Sequence, residues 1–456
     1  MFFFQACEEA SPPEEVSTAA VTAAFGEAAA DAPAGGGLTY EVYVRSFADS
    51  DGDGTGDIQG LRSRLDYLAS LGVETIWLMP VFPAFGPAGY DVVEFDAITP
   101  EYGTIDDLLL LVADAHARDM RVLLDLPLNH VHRDHPWFAR ASQGDQAYRD
   151  MFVYGGEGDR WFPDAQEGNY YAYFGADMPD LDWRSAGVRY GVEAAMDQWL
   201  DVVDGFRLDA VLMLVEEGEV VEGSEASHEL VAEIQQAHPG KFLMAEASEW
   251  EVGKSVSWLD QSDAVLDFPR YEAYLLAAEG GEASELVDVL AAQEGTGDGM
   301  SSFLGSHDTD RLATAVPSAA QRRALMVAHL LLPGSPVLYY GEELDLANAT
   351  SGTGQDYPMR APMPWSSASQ GGFTTGTPWF TPDPGYAEGL NVADQEADPG
   401  SMLNLVRALV CVRAASPPAR EVLAEGSVLR WQRGDVSITV DVRGDYRVEG
   451  GACEVP

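Results

Sequence analysis

Basic residues are scarce in this chain. Only 26 Lys and Arg stand against 75 Asp and Glu in 456 residues, giving a formal net charge of −49. A surface of that sign repels phosphate backbones and anionic lipid, which argues against nucleic-acid and membrane-surface partners. It fits a salt-adapted or extracellular protein, with most of the acids simply keeping a solvated face soluble. Cysteine is nearly absent: three residues exclude a disulfide framework, although Cys411 and Cys453 could form one bond in an oxidising compartment. Long apolar runs are missing too, and nothing approaches the roughly 18 residues of a membrane span.

The first residues, Met1 to Cys7, are apolar and end in a small residue before Cys7. They resemble the tail of a bacterial lipoprotein signal without its basic start or full apolar stretch. A lipid anchor at Cys7, a truncated start and an incidental cysteine are the alternatives. The expected location is extracellular, periplasmic or cell-surface, and the expected state is a monomer. Residues 8–37, rich in Ala, Glu and Pro and ending in three glycines, read as a disordered tether.

From Leu38 short β-rich runs alternate with helical patterns. The runs are 40–46, 75–79, 122–125, 205–209, 242–246, 264–268, 302–305 and 337–340. Helical periodicity fills gaps such as 106–118, 188–200, 227–237, 283–292, 319–332 and 402–415. Strands alternating with helices imply parallel pairing, and eight such units close a barrel. The expected fold is therefore an α/β (β/α)8 TIM barrel. Its expected parts are a signal remnant and tether (1–37), barrel (38–130), an inserted loop-rich subdomain (131–184), barrel again (185–418), and a short C-terminal antiparallel β region (419–456). The insert carries many aromatics, among them Trp137, Phe138, Phe152, Trp161, Phe162 and Phe174, of which about half are expected to form its own small core, while the others suit the faces of sugar rings.

Polar groups collect at the ends of four runs: Asp125 with Asn129 and His130, Arg207 with Asp209, Glu246, and His307 with Asp308. A single Asp at a strand end is often a helix cap. Four such ends converging on one barrel rim are not explained by capping. Arg207 and Asp209, two apart on a strand, face the same way. Carboxylates gathered in one cleft cannot be equivalent, since like charges raise one pKa and leave that group protonated. An acid beside a nucleophile is what cleavage of a glycosidic bond needs.

The motifs DLPLNH (125–130), GFRLDA (205–210), FLMAEASE (242–249) and FLGSHDTDR (303–311) resemble, in order and approximate spacing, the four strand-end signatures of the α-amylase superfamily of glycoside hydrolases. The likeness extends to GYDV (89–92), MPDLDW (178–183), YYGEE (339–343) and MPW (363–365). It implies Asp209 as nucleophile, Glu246 as general acid/base and Asp308 as the carboxylate holding the sugar's hydroxyls. It also implies substrate contacts from Tyr90, Asp125, His130, Arg207, His307 and Arg311, and retention of configuration.

The loop Asp49 to Asp57 offers oxygens at alternate positions with glycines for tight turning, which suits calcium. It resembles the first half of an EF-hand loop, but the twelfth position is Gly60, not an acid. The oligosaccharide-glucosidase branch of the superfamily has a calcium loop after its first strand. The expected ligands of a structural Ca2+ are Asp49, Asp51, Asp53 and Asp57, with the Thr55 carbonyl.

Departures from the family pattern narrow the reading. Leu212 and Met213 stand where many starch-degrading amylases carry Lys and His, and Pro87 stands where exo-glucosidases place an Asp. Ala210 resembles members acting on α-1,4 bonds. The resemblance implies hydrolysis of α-1,4 bonds in malto-oligosaccharides or α-glucans. The alternatives are a 4-α-glucanotransferase using the same residues and a non-catalytic carbohydrate-binding surface lipoprotein.

Overall fold

The computed structural model describes residues 37–166, 168–217, 220–349 and 357–455. Cys7 and the tether, apart from Gly37, lie outside the described residues. Strands β1 (Leu38–Val42), β2 (Val73–Leu78), β3 (Arg121–Pro127), β4 (Trp161–Pro163), β5 (Asn169–Tyr171), β6 (Gly205–Asp209), β7 (Phe242–Ala245), β8 (Ala264–Leu266), β9 (Met300–Ser302) and β10 (Ser335–Tyr339) precede a C-terminal group, β11 (Arg420–Glu425) to β14 (Asp445–Glu449). Eight parallel strands close into a barrel in the order β1-β2-β3-β6-β7-β8-β9-β10. Strands β1, β6 and β10 are buried along their whole length. They face side chains inside the barrel and helices outside it, which is why they read as continuous apolar runs rather than alternating ones.

Helices return the chain between strands, and their starts are written locally. Thr104, Ser185, Ser224, Asp267, Ser318 and Ser401 each accept a hydrogen bond from a backbone N–H in the first turn of the helix that follows. Such capping satisfies donors that a helix start leaves orphaned. Gly205 opens β6 because a Cβ there would stand 1.8 Å from the Phe242 carbonyl of β7. Only glycine lets the two strands approach at that point.

Three expected runs end earlier than their hydropathy implies. The run 40–46 is strand only to Val42, and Val44–Phe47 turns helical. At the rim the chain must bend back, and the Gly56 amide donates to the Arg45 carbonyl at 2.8 Å. The run 264–268 stops at Leu266 because Asp267 caps Phe268–Gly280, a helix absent from the sequence reading. The run 302–305 contributes only its first residue to β9, which begins at Met300, and the rest is loop.

The insert after β3 folds around its own aromatics. Phe138 meets Phe152 and Tyr170 edge-on, with ring centroids 5.0 and 4.8 Å apart, beneath the β4–β5 hairpin. It is tied to the barrel by the Leu181 amide donating to the Asn129 carbonyl and by the Trp183 indole donating to the Leu128 carbonyl. Of its Phe, Tyr and Trp residues, Phe174 alone lines the rim cavity described below, and even the partly buried Trp137, Tyr148, Tyr154, Phe162 and Tyr173 pack against the core, so more of them serve packing than expected.

In the C-terminal sheet β12 (Val428–Arg433) and β13 (Val436–Asp441) alternate buried and open positions, the mark of a sheet with one wet face. Leu429, Trp431, Ile438 and Val440 are buried, and Trp431 donates to the Leu331 carbonyl of helix Ala319–Leu331. A sheet of this size needs that support. Cys411, in helix Met402–Ala415, is bonded to Cys453 across 42 residues. Among the described residues no helix is long and apolar enough to cross a membrane.

The closed loop is large enough for the cross-link to restrict the unfolded chain appreciably. Cys411→Ser is expected to lower stability by up to about 4 kcal/mol, measured as a shift of the denaturant midpoint in non-reducing buffer.

Candidate active site

The carboxyl ends of β3, β6, β7 and β9 and the loops beyond them surround a cavity of about 490 Å3, within the ordinary size of small-ligand sites. Asp209 and Glu246 line it, with Tyr90, His130, Asp308, Phe85, Phe174, Met213, Ser248 and Arg360. Beneath them Arg207 is almost wholly buried. Its Nη1 donates to Asp125 Oδ1 at 2.8 Å and to Asp209 Oδ1 at 2.5 Å, and its Nη2 stands 3.8 Å from Glu246 Oε2. One cation thus touches three carboxylates from three neighbouring strands.

The turn after β6 completes the arrangement. Ala210 adopts φ 59°, ψ 35°, a left-handed conformation that costs a non-glycine residue energy and that recurs at functional sites. In that pose its amide donates to Glu246 Oε2 at 2.9 Å. The Ser248 hydroxyl donates to the other oxygen, Oε1.

The two carboxyls are pushed in the same direction by different balances. Burial, with the charges of Asp125 and Asp308, raises Asp209 to about 6 against the pull of Arg207. Arg207 therefore does not by itself make Asp209 a strong acid, and near neutrality the carboxylate still predominates. Burial and the charge of Asp209 raise Glu246 against Arg207, Ser248 and the Ala210 amide. Both carboxyls therefore hold their protons to higher pH than a free carboxyl does, with Arg207 between them.

Asp308 stands at the cavity mouth with its side chain 63% exposed. The positive charges of His307, Arg360 and Arg207 hold it well below the ordinary carboxylate range. His307 Nε2 lies 2.9 Å from Asp308 Oδ2, and Arg360 Nη2 lies 3.4 Å from Oδ1. Tyr90 stacks on the His307 ring at 5.2 Å and donates to Asp125 at 2.9 Å. His130 lies beside the Tyr90 carbonyl at 3.2 Å, and burial lowers its pKa to about 4, so it is neutral.

Of the residues singled out in the sequence, Asp209, Glu246, Asp308, Tyr90 and His130 line the cavity. Arg207, Asp125 and His307 form its floor. Arg311 does not reach it. Its guanidinium is fully buried and donates to the Met359 and Tyr340 carbonyls, so it braces the loop carrying Arg360 rather than the sugar site. Sequence reading missed Arg360, Phe85, Met213 and Ser248 as lining residues. Arg360, three residues ahead of the MPW motif, has no local signal, and only the return of residues 357–365 to the rim makes it visible.

The loop after β1 gathers Asp49, Asp51 and Asp57, whose oxygens lie within 4.8 Å of one another. Asp53 is outside that group, exposed, and accepts from the Thr55 amide at 2.7 Å.

A family model described as "Alpha amylase, catalytic domain" matches residues 41–421. The chain belongs to the α-amylase family. It is 31% identical over 420 residues to Alpha-amylase 3 of Dictyoglomus thermophilum, covering 88% of this chain and 81% of that protein. It is 32% identical over 449 residues to the trehalose synthase/amylase of Mycobacterium tuberculosis, covering 83% and 74%. The crystal structure of an α-amylase from H. orenii superposes with a TM-score of 0.78 at 30% identity, covering 89% of each chain. The protein is accordingly an α-amylase-family enzyme of glycoside hydrolysis or transglycosylation, and the non-catalytic alternative falls away.

Were Asp209 the nucleophile that the family resemblance implies, protonating it would remove the attacking group. Since its raised pKa is about 6, kcat/KM is expected to fall as pH drops through about 6, checked by a pH profile on an aryl α-maltoside.

Proposed function

We propose that the protein cleaves α-1,4-glucosidic bonds in malto-oligosaccharides or α-glucans with retention of configuration. The observation that carries this reading is the shared cation: Arg207 contacts both Asp209 and Glu246, and both face one cavity. Asp209 attacks the anomeric carbon as the bond to the leaving oxygen breaks, and Glu246 gives that oxygen its proton. Glu246 then takes a proton from water, which displaces Asp209 from the glycosyl-enzyme. Asp308, ionised at the cavity mouth, accepts hydrogen bonds from the reacting sugar's hydroxyls.

Ala210 after the nucleophile supports the α-1,4 assignment, through its resemblance to members of that type. At Pro87 the chain offers a carbonyl, engaged by the Tyr43 hydroxyl, and no acid to grip a terminal glucose. This supports action on short chains without strict exo character. A second reading, glucanotransfer, is favoured by one observation: Phe85, Phe174, Ala210 and Met213 give the cavity an apolar wall. Such a wall disfavours water relative to a sugar acceptor. The Cys411–Cys453 bond supports a location outside a reducing cytoplasm.

For the loop at 49–57 we propose a structural Ca2+. The donor set fits, being all oxygen and including three converging carboxylates. Hydrogen bonds from the Thr374 hydroxyl and the Gly52, Gly54 and Asp51 amides keep the Asp49 pKa below its ordinary value despite burial, so the carboxylate is charged and oriented. Asp49, Asp51 and Asp57 would hold the ion, which would tie this loop to the segment carrying Thr374.

Asp209→Asn is expected to abolish turnover of an aryl α-maltoside, and wild-type rates in that variant would refute the catalytic assignment. With maltotriose, products no longer than the substrate are expected, whereas longer oligosaccharides would establish transfer. Excess chelator is expected to lower the melting temperature; an unchanged melt would remove the calcium proposal.

A further inference from the structure

Glu41 is a fully buried carboxylate on β1 that no step described so far uses. Its Oε1 accepts from His307 Nδ1 at 2.5 Å, and its Oε2 receives no hydrogen bond from the protein. The space beside the pair, lined among others by Trp77, Leu266, Phe303 and Val337, measures about 10 Å3, room for one water at most. With so little room for water the pair is weakly screened, although Arg207, Asp308 and Ser306 also face this space.

From this pair a continuous string of hydrogen bonds runs to the nucleophile. His307 Nε2 lies 2.6 Å from Tyr90 Oη, which donates to Asp125 Oδ2, while Arg207 bridges Asp125 to Asp209. The direction of these bonds depends on one proton. With hydrogen on both ring nitrogens, Nε2–H points at Tyr90 and Asp308, and the Tyr90 proton stays on Asp125. With Nε2 bare, the Tyr90 proton turns to the ring, Asp125 loses a donor, and a lone pair faces the Asp308 carboxylate.

We propose that Glu41 is a positioning residue of the catalytic centre, which by accepting the Nδ1 hydrogen bond keeps His307 a cation with Nε2–H aimed at Tyr90 and Asp308, two residues that line the cavity. The proposal rests on the catalytic reading above and deepens it. The charged groups around the ring agree with it. Glu41 faces it from β1 and Asp308 from its own loop, with Asp125 beyond Tyr90. The opposing cations are Arg207 from β6 and Arg360, whose guanidinium donates to the His307 carbonyl. Glu342, beyond β10, is raised to about 8 and so is largely neutral near pH 7. Burial disfavours the imidazolium, yet Asp308 and Glu41 outweigh it and raise the ring to about 10. A raised pKa means that the proton is held below that value and lost only above it.

The test uses the full chain with 15N-histidine, its His307 signals assigned by their loss in His307→Gln. In the wild type both ring nitrogens are expected to stay protonated from about pH 6 to 9, where an unperturbed histidine would titrate. Glu41→Gln keeps an oxygen acceptor but removes the charge. Its ring is expected to lose a proton inside that window, and its kcat/KM on an aryl α-maltoside to fall about tenfold per pH unit above the new pKa, a limb the wild type lacks. A bare ring nitrogen in the wild type at about pH 7 would overturn the proposal, as would pH profiles that coincide for the wild type and Glu41→Gln. The ring measurement needs no substrate. Failure of the proposed activity is therefore distinguishable from failure of this inference.

Discussion

The buried guanidinium of Arg207 is the constraint on which the site depends. Removing a cation from water costs far more than a single contact returns, so it persists only where several acceptors surround it. Asp125, Asp209 and Glu246 supply them from three adjacent strands. The same contacts that satisfy the cation set the spacing of the carboxyls and decide which way each faces. Removing any one acid would leave the others in a different field, so stability and chemistry are coupled at this point.

Around that cation the fold separates rigidity from specificity. Two members of the floor, Asp125 and Arg207, stand on adjacent strands whose hydrogen bonds run into both neighbours, and the third, His307, is buried in the loop after β9. The walls come from connections: Phe85 after β2, Phe174 from the insert, Met213 after β6 and Arg360 from the segment after β10. Such loops vary without disturbing the barrel, which makes the cavity wall the adaptable part of the site.

The barrel was legible because parallel strands covered on both faces leave apolar runs at helix-length intervals. The convergence of Asp209, Glu246 and Asp308 on one cavity was legible because these groups lie at or just beyond the ends of those runs, where a barrel gathers its rim. Arg207 and Asp209 could be assigned to one face from their spacing alone. Arg311 could not be judged that way: it follows a recognised motif, yet after Asp308 the chain is loop rather than strand, so spacing no longer specifies direction. Arg360 and Phe85 were invisible for the same reason. The insert's aromatics misled in the other direction, since a ring that fills a small core and a ring that stacks on sugar leave the same trace in sequence.

Sequence alone determined the order of the eight barrel strands, the identity of the groups at the strand ends, and the sign of the net charge, because periodicity and residue chemistry are local properties. Tertiary structure decided which groups share a cation, which hydroxyl or amide holds each carboxylate, and how burial and neighbouring charges together shift Asp209 and His307. Those quantities depend on distances of a few ångströms between residues as far apart as Glu41 and His307. No local pattern encodes such distances; only closure of the barrel brings the two ends of the chain together.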